Sequence, residues 1–132
     1  MDLEALAREA VDCGFQTHDE LGPGLLESVY EAVLVTHLLK RGLRVERQKS
    51  ISFARDGTLF NDAFRVDVFI EGMLVVEVKS LEKLLPVHTK QVLTYLRLME
   101  LPLGFLMNFG GATFKEGVRR IANNYWRDVP PK

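Results

Sequence analysis

The 132-residue chain has little cysteine, no long apolar run and almost no net charge. Its one cysteine, Cys13, cannot form an internal disulfide, which fits a reducing compartment. The longest purely apolar runs, such as residues 32–35, are far shorter than the roughly 20 residues that cross a bilayer. The acidic start, Met1-Asp2-Leu3-Glu4, is unlike a secretory signal. We therefore expect a cytoplasmic protein that does not associate with membranes.

Net charge is close to zero for the whole chain but is unevenly distributed. The 17 Lys and Arg residues and 18 Asp and Glu residues give a formal charge of −1, whereas nucleic-acid binders usually have a basic excess. Residues 1–36 hold eight acids and one base, a net of −7, and residues 37–132 hold ten acids and sixteen bases, a net of +6. Such asymmetry is typical of one basic and one acidic surface, or of solvated helix faces of opposite sign.

No repeat, low-complexity segment or Pro/Gly-rich linker divides the chain, so we treat residues 1–132 as a single domain. The spacing of apolar residues predicts eight elements in the order ααβββαβα. They are helices over 3–19 and 25–40, strands over 44–53, 64–70 and 74–78, a helix over 87–99, a strand over 103–109 and a last helix over 115–126. This order favours an α/β fold in which helices flank a mixed sheet.

The hairpin within residues 64–78 is the most informative segment. Its two apolar rows are Phe64, Val66, Val68 and Ile70 in one strand and Leu74, Val76 and Val78 in the other. If both rows face the core, Ile70 must lie opposite Leu74. The same register places Asp67 opposite Glu77 on the other face. It requires a three-residue connection, or a two-residue turn with a bulge.

Two adjacent carboxylates repel each other unless a cation joins them. Oxygen ligands without Cys or His favour Mg²⁺ or Mn²⁺. Lys79, two residues beyond Glu77 on the same face, is placed to orient a water or to stabilise charge on a phosphate. A salt-bridge cluster on a half-exposed sheet explains the same residues without catalysis, and is the commoner origin of Glu-x-Lys in a strand.

Two predicted helices carry further polar side chains. In Gly24-x-x-Glu27-x-x-Tyr30 the acid is placed either to enter a cleft or simply to favour the helix dipole. The later helix carries His88, Gln91 and Tyr95 on one stripe, which suits either a phosphate contact or a solvated helix edge. No second His or Cys lies at a spacing that would make His88 a zinc ligand. Motifs for a serine or cysteine nucleophile and for a phosphate-binding glycine loop are also absent.

Taken together in chain order, these motifs resemble the GxxExxY family, which is placed in the PD-(D/E)XK nuclease-like superfamily. The positions that carry the resemblance are Gly24, Glu27, Tyr30, Asp67, Glu77, Lys79, Gln91, Tyr95, Asn108, Phe109 and Gly110. The resemblance extends from about residue 5 to 125. It implies a restriction-endonuclease-like αβα sandwich with a central four-stranded mixed sheet. One departure is Val66, which stands where the superfamily name has proline.

The resemblance also implies a nuclease that uses Mg²⁺ or Mn²⁺ and acts on DNA. Glu27 would bind a second ion or the attacking water. Apart from the resemblance, His88 is expected to support the site, because it lies on the same helical stripe as Gln91 and Tyr95. By the same resemblance, the metal-binding acids are Asp67 and Glu77 and the catalytic lysine is Lys79. In the hypothesis that follows, the carbonyl of Val78 is a further metal ligand, and Gln91 and Tyr95 support the lysine or the scissile phosphate.

DNA would be held through its phosphates, without sequence preference. The basic residues expected to contact the backbone are Lys40, Arg41, Arg44, Arg47, Lys49, Lys83 and Lys90. The small size and weak net charge are also compatible with a second interpretation, a nuclease-fold module that binds a nucleic acid or a protein without cutting. A third interpretation is a homodimer whose two sites act together.

Overall fold

The computed structural model describes residues 1–125, and its first two elements are helices. Helix α1 (Leu3–Leu21) begins at Asp2, whose carboxylate accepts the Ala5 amide at 2.7 Å. Helix α2 (Glu27–Lys40) follows a loop at residues 22–26, where two glycines and a proline prevent the helix from continuing. Both helices lie close to their predicted bounds. No helix among the described residues is long and apolar enough to cross a membrane.

The other elements form one mixed sheet with a crossover helix. Its strands, in spatial order, are β1 (Val45–Arg55), β2 (Thr58–Ile70), β3 (Leu74–Lys79), β4 (Leu103–Asn108) and β5 (Val118–Ala122). The β3–β4 pair is parallel and the other three pairs are antiparallel. Helix α3 (Pro86–Met99) connects the parallel strands, and α4 (Phe114–Gly117) is one helical turn before β5. The α/β class with a mixed sheet is therefore correct.

The predicted last helix over 115–126 is wrong, and so are the count of four strands and the order ααβββαβα. Only Phe114–Gly117 is helical, and Val118–Ala122 pairs antiparallel with β4 as a fifth strand. The prediction failed because Val118 and Ile121 are three residues apart, a spacing that also suits a helix. The last residues of that prediction, 126 onward, lie outside the described residues. The second strand also begins at Thr58 rather than at residue 64, directly after a tight turn at Asp56-Gly57 with positive φ at both residues.

Helices cover both faces of the sheet, and each face has its own core. One core packs α1 and α2 on the sheet and includes Leu6, Leu34 and Val76. The other packs α3 on the opposite face and includes Val92 and Leu106. Neighbouring strand residues alternate between the two cores, as expected for a sheet that is buried on both sides. The functional side chains at the edges of these cores are therefore held by a rigid framework.

The register predicted for the hairpin is confirmed. Ile70 lies opposite Leu74 and Val68 opposite Val76, so the connection between the strands has three residues, 71–73. The single apolar face predicted for β2 is wrong, however, because Val66 joins the α3 core whereas Val68 joins the core under α1 and α2. The two faces of β2 therefore interchange at Asp67, so that side chains two residues apart on either side of it enter different cores.

A close contact between Gly117 and β4 yields a test of this fold. A Cβ at Gly117 would lie 2.1 Å from the carbonyl oxygen of Asn108, whereas one at Gly111 would have its nearest neighbour at 3.8 Å. We predict that Gly117→Ala lowers the free energy of unfolding by about 1–3 kcal/mol, because the end of α4, where β5 begins, must move away from β4. Gly111→Ala is the control and should leave the urea midpoint nearly unchanged. Equal midpoints for the two variants would contradict the placement of β5.

Candidate active site

Asp67 and Glu77 lie side by side where β2 and β3 separate. The backbone amide of Asp67 donates to Oε2 of Glu77 at 2.7 Å, and the backbone amide of Val78 donates to Oδ2 of Asp67 at 2.8 Å. Each strand thus binds the carboxylate of the other strand at this level. The exchange fixes both side chains, and it brings together the two acids that the hairpin register predicts.

Glu77 is held in an environment that disfavours its charge. Its residue is only 4% exposed. Burial first, and then repulsion from the Asp67 carboxylate, raise the pKa of Glu77 to about 8, although the nearby Lys79 ammonium acts in the opposite direction. Near neutral pH the pair therefore tends to keep a proton unless another cation takes its place.

The donor set fits a hard divalent cation. Within residues 1–125 no three His, Cys, Asp or Glu side chains are grouped as ligands for one ion. Zinc sites generally need three or four such ligands, whereas Mg²⁺ keeps several waters and is often bound by one or two carboxylates. Asp67 and Glu77 therefore suit Mg²⁺ or Mn²⁺, and the carbonyl of Val78 as a third ligand stays a prediction.

A cleft of about 350 Å³ opens between α2 and the strands beside Asp67. Its lining residues are Glu27, Ser28, Glu31, Gln48, Asp67 and Val78. Glu27 thus shares a cleft with Asp67, as the motif predicts, but it is exposed and does not form a three-acid group with Asp67 and Glu77. A metal-binding or water-binding role for Glu27 stays a prediction.

The same cleft contains two residues that sequence reasoning missed, Glu31 and Gln48. Glu31 is buried and accepts hydrogen bonds from Arg47 at 2.9 Å and from Nε2 of Gln48 at 2.7 Å. The same Gln48 nitrogen donates to Oδ1 of Asp67 at 3.1 Å. One available signal was the position of Glu31, four residues after Glu27 and therefore on the same helical face.

On the α3 side, a second cleft of about 450 Å³ surrounds the end of Lys79. It is lined by Lys79, Val87, His88, Lys90, Gln91 and Thr94. Nε2 of Gln91 donates to the Tyr95 hydroxyl at 3.0 Å, so the predicted polar stripe brings these two residues into contact. Burial, together with the charges of Glu77 and Asp67, raises the pKa of the Tyr95 phenol. The phenol therefore lies within electrostatic reach of the carboxylate pair.

His88 and Asn108 support backbone segments around the site. Nδ1 of His88 accepts the Leu85 amide at 2.9 Å and so caps the start of α3. The Asn108 side chain, which is buried, accepts the Leu81 amide at 2.8 Å and donates to the Leu81 carbonyl at 2.9 Å. These bonds hold the segment that follows Lys79 against the end of β4.

Tyr30 and Gly24 shape the loop before α2. The Tyr30 hydroxyl donates to the Gly22 carbonyl at 2.5 Å and accepts the Leu25 amide at 3.1 Å. Gly24 has a φ of 106°, which L side chains rarely adopt. The hydroxyl of Ser80 donates to the Leu25 carbonyl at 2.5 Å, so this loop is tied to the residue after Lys79.

Most of the basic residues expected to contact DNA already have acidic partners. The pairs are Arg41 with Glu9 and Asp12, Arg44 with Glu71, Arg47 with Glu31, and Lys49 with Glu46. To contact DNA, each of these basic residues would have to give up its ion pair with a carboxylate and form one with a phosphate. Lys90 instead shares the cleft with Lys79, and Lys83 lines a separate cleft of about 340 Å³ beside Asn108.

The α/β fold and the paired strand carboxylates suit a nuclease-like class of protein, and a comparison with family models identifies that class. The model described as the PD-(D/E)XK nuclease superfamily matches residues 4–121. The chain therefore belongs to the PD-(D/E)XK nuclease superfamily, and this membership suggests a nuclease-type function. Neither the curated proteins nor the solved structures give a match. The finer resemblance to the GxxExxY family stays a prediction.

The unusual pKa of Glu77 predicts how stability depends on pH without metal. The pKa is about 8 in the folded protein and about 4.3 in an unfolded chain, so the folded state binds more protons between these values. The free energy of unfolding should therefore fall as pH rises from 5 to 8. Glu77→Gln removes this titration, and we expect it to gain about 3–4 kcal/mol relative to wild type over that interval.

Urea unfolding at pH 5 and pH 8 in the presence of EDTA measures the difference. Glu82→Gln, which removes an exposed acid, is the control and should follow wild type at both pH values. Parallel pH profiles for wild type and Glu77→Gln would contradict the description of Glu77 as a buried, repelled carboxyl group.

Proposed function

We propose that the chain is a Mg²⁺-dependent nuclease of the GxxExxY group that hydrolyses phosphodiester bonds in DNA. The observation that supports this most is the pair of hydrogen bonds in which the Asp67 amide donates to the Glu77 carboxylate and the Val78 amide donates to the Asp67 carboxylate. It holds two carboxylates together in a chain of the PD-(D/E)XK nuclease superfamily, with a lysine two residues further along β3. A salt-bridge cluster does not account for Glu77, since it is buried and lacks an ion pair among the described residues.

Asp67 and Glu77 are the proposed ligands of the ion, with the Val78 carbonyl as a third. Both carboxylates are already oriented by backbone amides, so little side-chain entropy remains to be lost on binding. A bound Mg²⁺ would polarise a phosphate oxygen and favour attack at phosphorus.

Lys79 and the α3 residues act on the substrate from the other cleft. The Lys79 ammonium stabilises negative charge that develops on the phosphate and orients the attacking water. Gln91 fixes the Tyr95 hydroxyl through the 3.0 Å hydrogen bond, so that this hydroxyl supports the lysine or the scissile phosphate. Glu27, on the α2 side, is the proposed group that binds the attacking water or a second ion.

The proposed contacts with DNA are few and local. Lys79 and Lys90 line one cleft, whereas Arg44, Arg47 and Lys49 are paired with acids. Binding that neutralises few phosphates has a shallow dependence on salt. The proposed enzyme therefore contacts the phosphates next to the cleaved bond rather than a long stretch of the DNA backbone.

Cleavage assays on single-stranded, duplex and branched DNA with Mg²⁺ or Mn²⁺ test the proposal. We expect metal-dependent cleavage of at least one of these substrates. Asp67→Asn, Glu77→Gln and Lys79→Met should each lower the rate by about 100-fold or more, because the two acids would hold the ion and the lysine stabilises negative charge on the phosphate. Glu82→Gln and Lys115→Met change exposed charges outside the proposed site and should keep the wild-type rate.

Cleavage that is equal in wild type and Glu77→Gln would contradict the proposal, as would the absence of metal-dependent cleavage on all three substrates. Binding of DNA that is indifferent to metal, without cleavage, would instead support the non-cutting nuclease-fold module. Calorimetric titration with Mg²⁺ separates the two functions, because only the nuclease requires a metal site that is lost in Asp67→Asn.

A further inference from the structure

We propose that Gln48 is a positioning residue that holds Asp67 in its metal-binding orientation by tying it to the buried Glu31 of α2. This role presupposes the metal-dependent function proposed above. It adds a residue from β1 that none of the recognised motifs contains.

The side-chain amide of Gln48 connects two carboxylates. Its Nε2 lies 2.7 Å from Oε1 of Glu31 and 3.1 Å from Oδ1 of Asp67, so the two N–H groups of one amide can serve both acids. The other oxygen of Asp67, Oδ2, accepts the Val78 amide at 2.8 Å. Asp67 is thus fixed from both sides, and each oxygen keeps a lone pair for a cation.

Glu31 is a firm anchor for this amide. The residue is 6% exposed, and its Oε2 accepts Nη2 of Arg47 at 2.9 Å and Nε of Arg47 at 3.2 Å. Oε1 is left to accept from Gln48. If the amide were reversed, its oxygen would face two carboxylates, so the charges determine which end points at Asp67. Glu31, held by its ion pair with Arg47 of β1, therefore sets the orientation of Gln48.

The backbone of Gln48 is unusual for a strand residue. Its φ is 48°, in the left-handed region that only glycine adopts without cost. Its neighbours Arg47 and Lys49 pair with Val68 and Val66, so Gln48 lies at the level of Asp67, where β2 turns over. Strained backbone conformations tend to persist where function requires them. A glycine at this position would relieve the backbone strain but would also remove the side-chain amide. The effect of the strain can therefore be separated from the effect of the hydrogen bond to Asp67.

Two variants of Gln48 and one control test the role. Gln48→Gly relieves the backbone, and Gln48→Met keeps the strain and similar bulk, but neither side chain can donate to Asp67. Calorimetric titration with Mn²⁺ should show affinity about 10-fold lower or weaker still for both variants. Thermal midpoints should stay within a few degrees of wild type. Raised Mg²⁺ should restore cleavage, because only the position of Asp67 has been loosened.

Asp62→Gly is the matched control. Asp62 lies in β2, within the β1–β2 hairpin that also contains Gln48. It has a φ of 51°, and its carboxylate accepts a hydrogen bond from Ser50 at 2.6 Å. It is not among the residues that line the clefts beside Asp67 and Lys79. Its replacement perturbs the hairpin backbone in the same manner and should leave Mn²⁺ affinity at the wild-type value.

The outcomes separate this role from the proposed function. If wild type binds Mn²⁺ and both Gln48 variants bind it equally well, the positioning role is wrong and the nuclease proposal stands. An equal loss of affinity in Asp62→Gly also overturns the role, since the effect would then belong to the hairpin in general. Wild type that binds no Mn²⁺ and cleaves no DNA overturns both.

Discussion

The hydrogen bonding that joins β2 and β3 through the carboxylates of Asp67 and Glu77 is the constraint on which the rest of the site depends. Each carboxylate accepts a backbone amide from the other's strand, so the two acids are held together by the sheet itself. The arrangement costs free energy in the absence of a cation, because Glu77 is buried beside a like charge. The surrounding elements then supply compensating groups: Gln48 donates to Asp67, and Lys79 lies close to Glu77.

The register of this pair was predictable, because a period of two leaves few choices once both apolar rows must be buried. The reversal of faces at Asp67 was not predictable from that period. It accompanies a left-handed φ at Gln48 on the neighbouring strand, and no apolar pattern encodes a single backbone angle. The last strand was missed because Val118 and Ile121 fit a helical spacing. What makes this segment a strand is its pairing with β4, including the close approach of Gly117 to Asn108, and such a tertiary contact is not visible in the sequence.

The candidate site was predicted in part for the same reason. Sequence shows directly the spacing of two residues within a single element. Glu77 and Lys79 form such a pair in β3, and Gln91 and Tyr95 form another in α3. The contribution of Glu31 and Gln48 depends on contacts between α2, β1 and β2, which sequence does not show. Even so, Gln91 and Tyr95 meet as their spacing predicts, while His88 on the same stripe caps the start of α3.

The uneven charge of the chain also has a structural explanation. Acids of the first two helices pair with bases from later in the sequence, among them Glu4 with Arg120 and Glu31 with Arg47. Much of the basic excess after residue 36 is therefore used within the molecule. Neither sequence interpretation, one basic and one acidic surface or solvated helix faces of opposite sign, includes this pairing. Among the described residues, the two lysines of the α3 cleft, Lys79 and Lys90, form no ion pair.

The most direct test of the metal site is a crystal grown with Mn²⁺ and measured at the manganese absorption edge. We predict an anomalous peak in contact with the carboxylates of both Asp67 and Glu77, and its loss in crystals of Asp67→Asn. Clear density for both side chains with no anomalous peak between them, at a Mn²⁺ concentration that supports cleavage, would contradict the account.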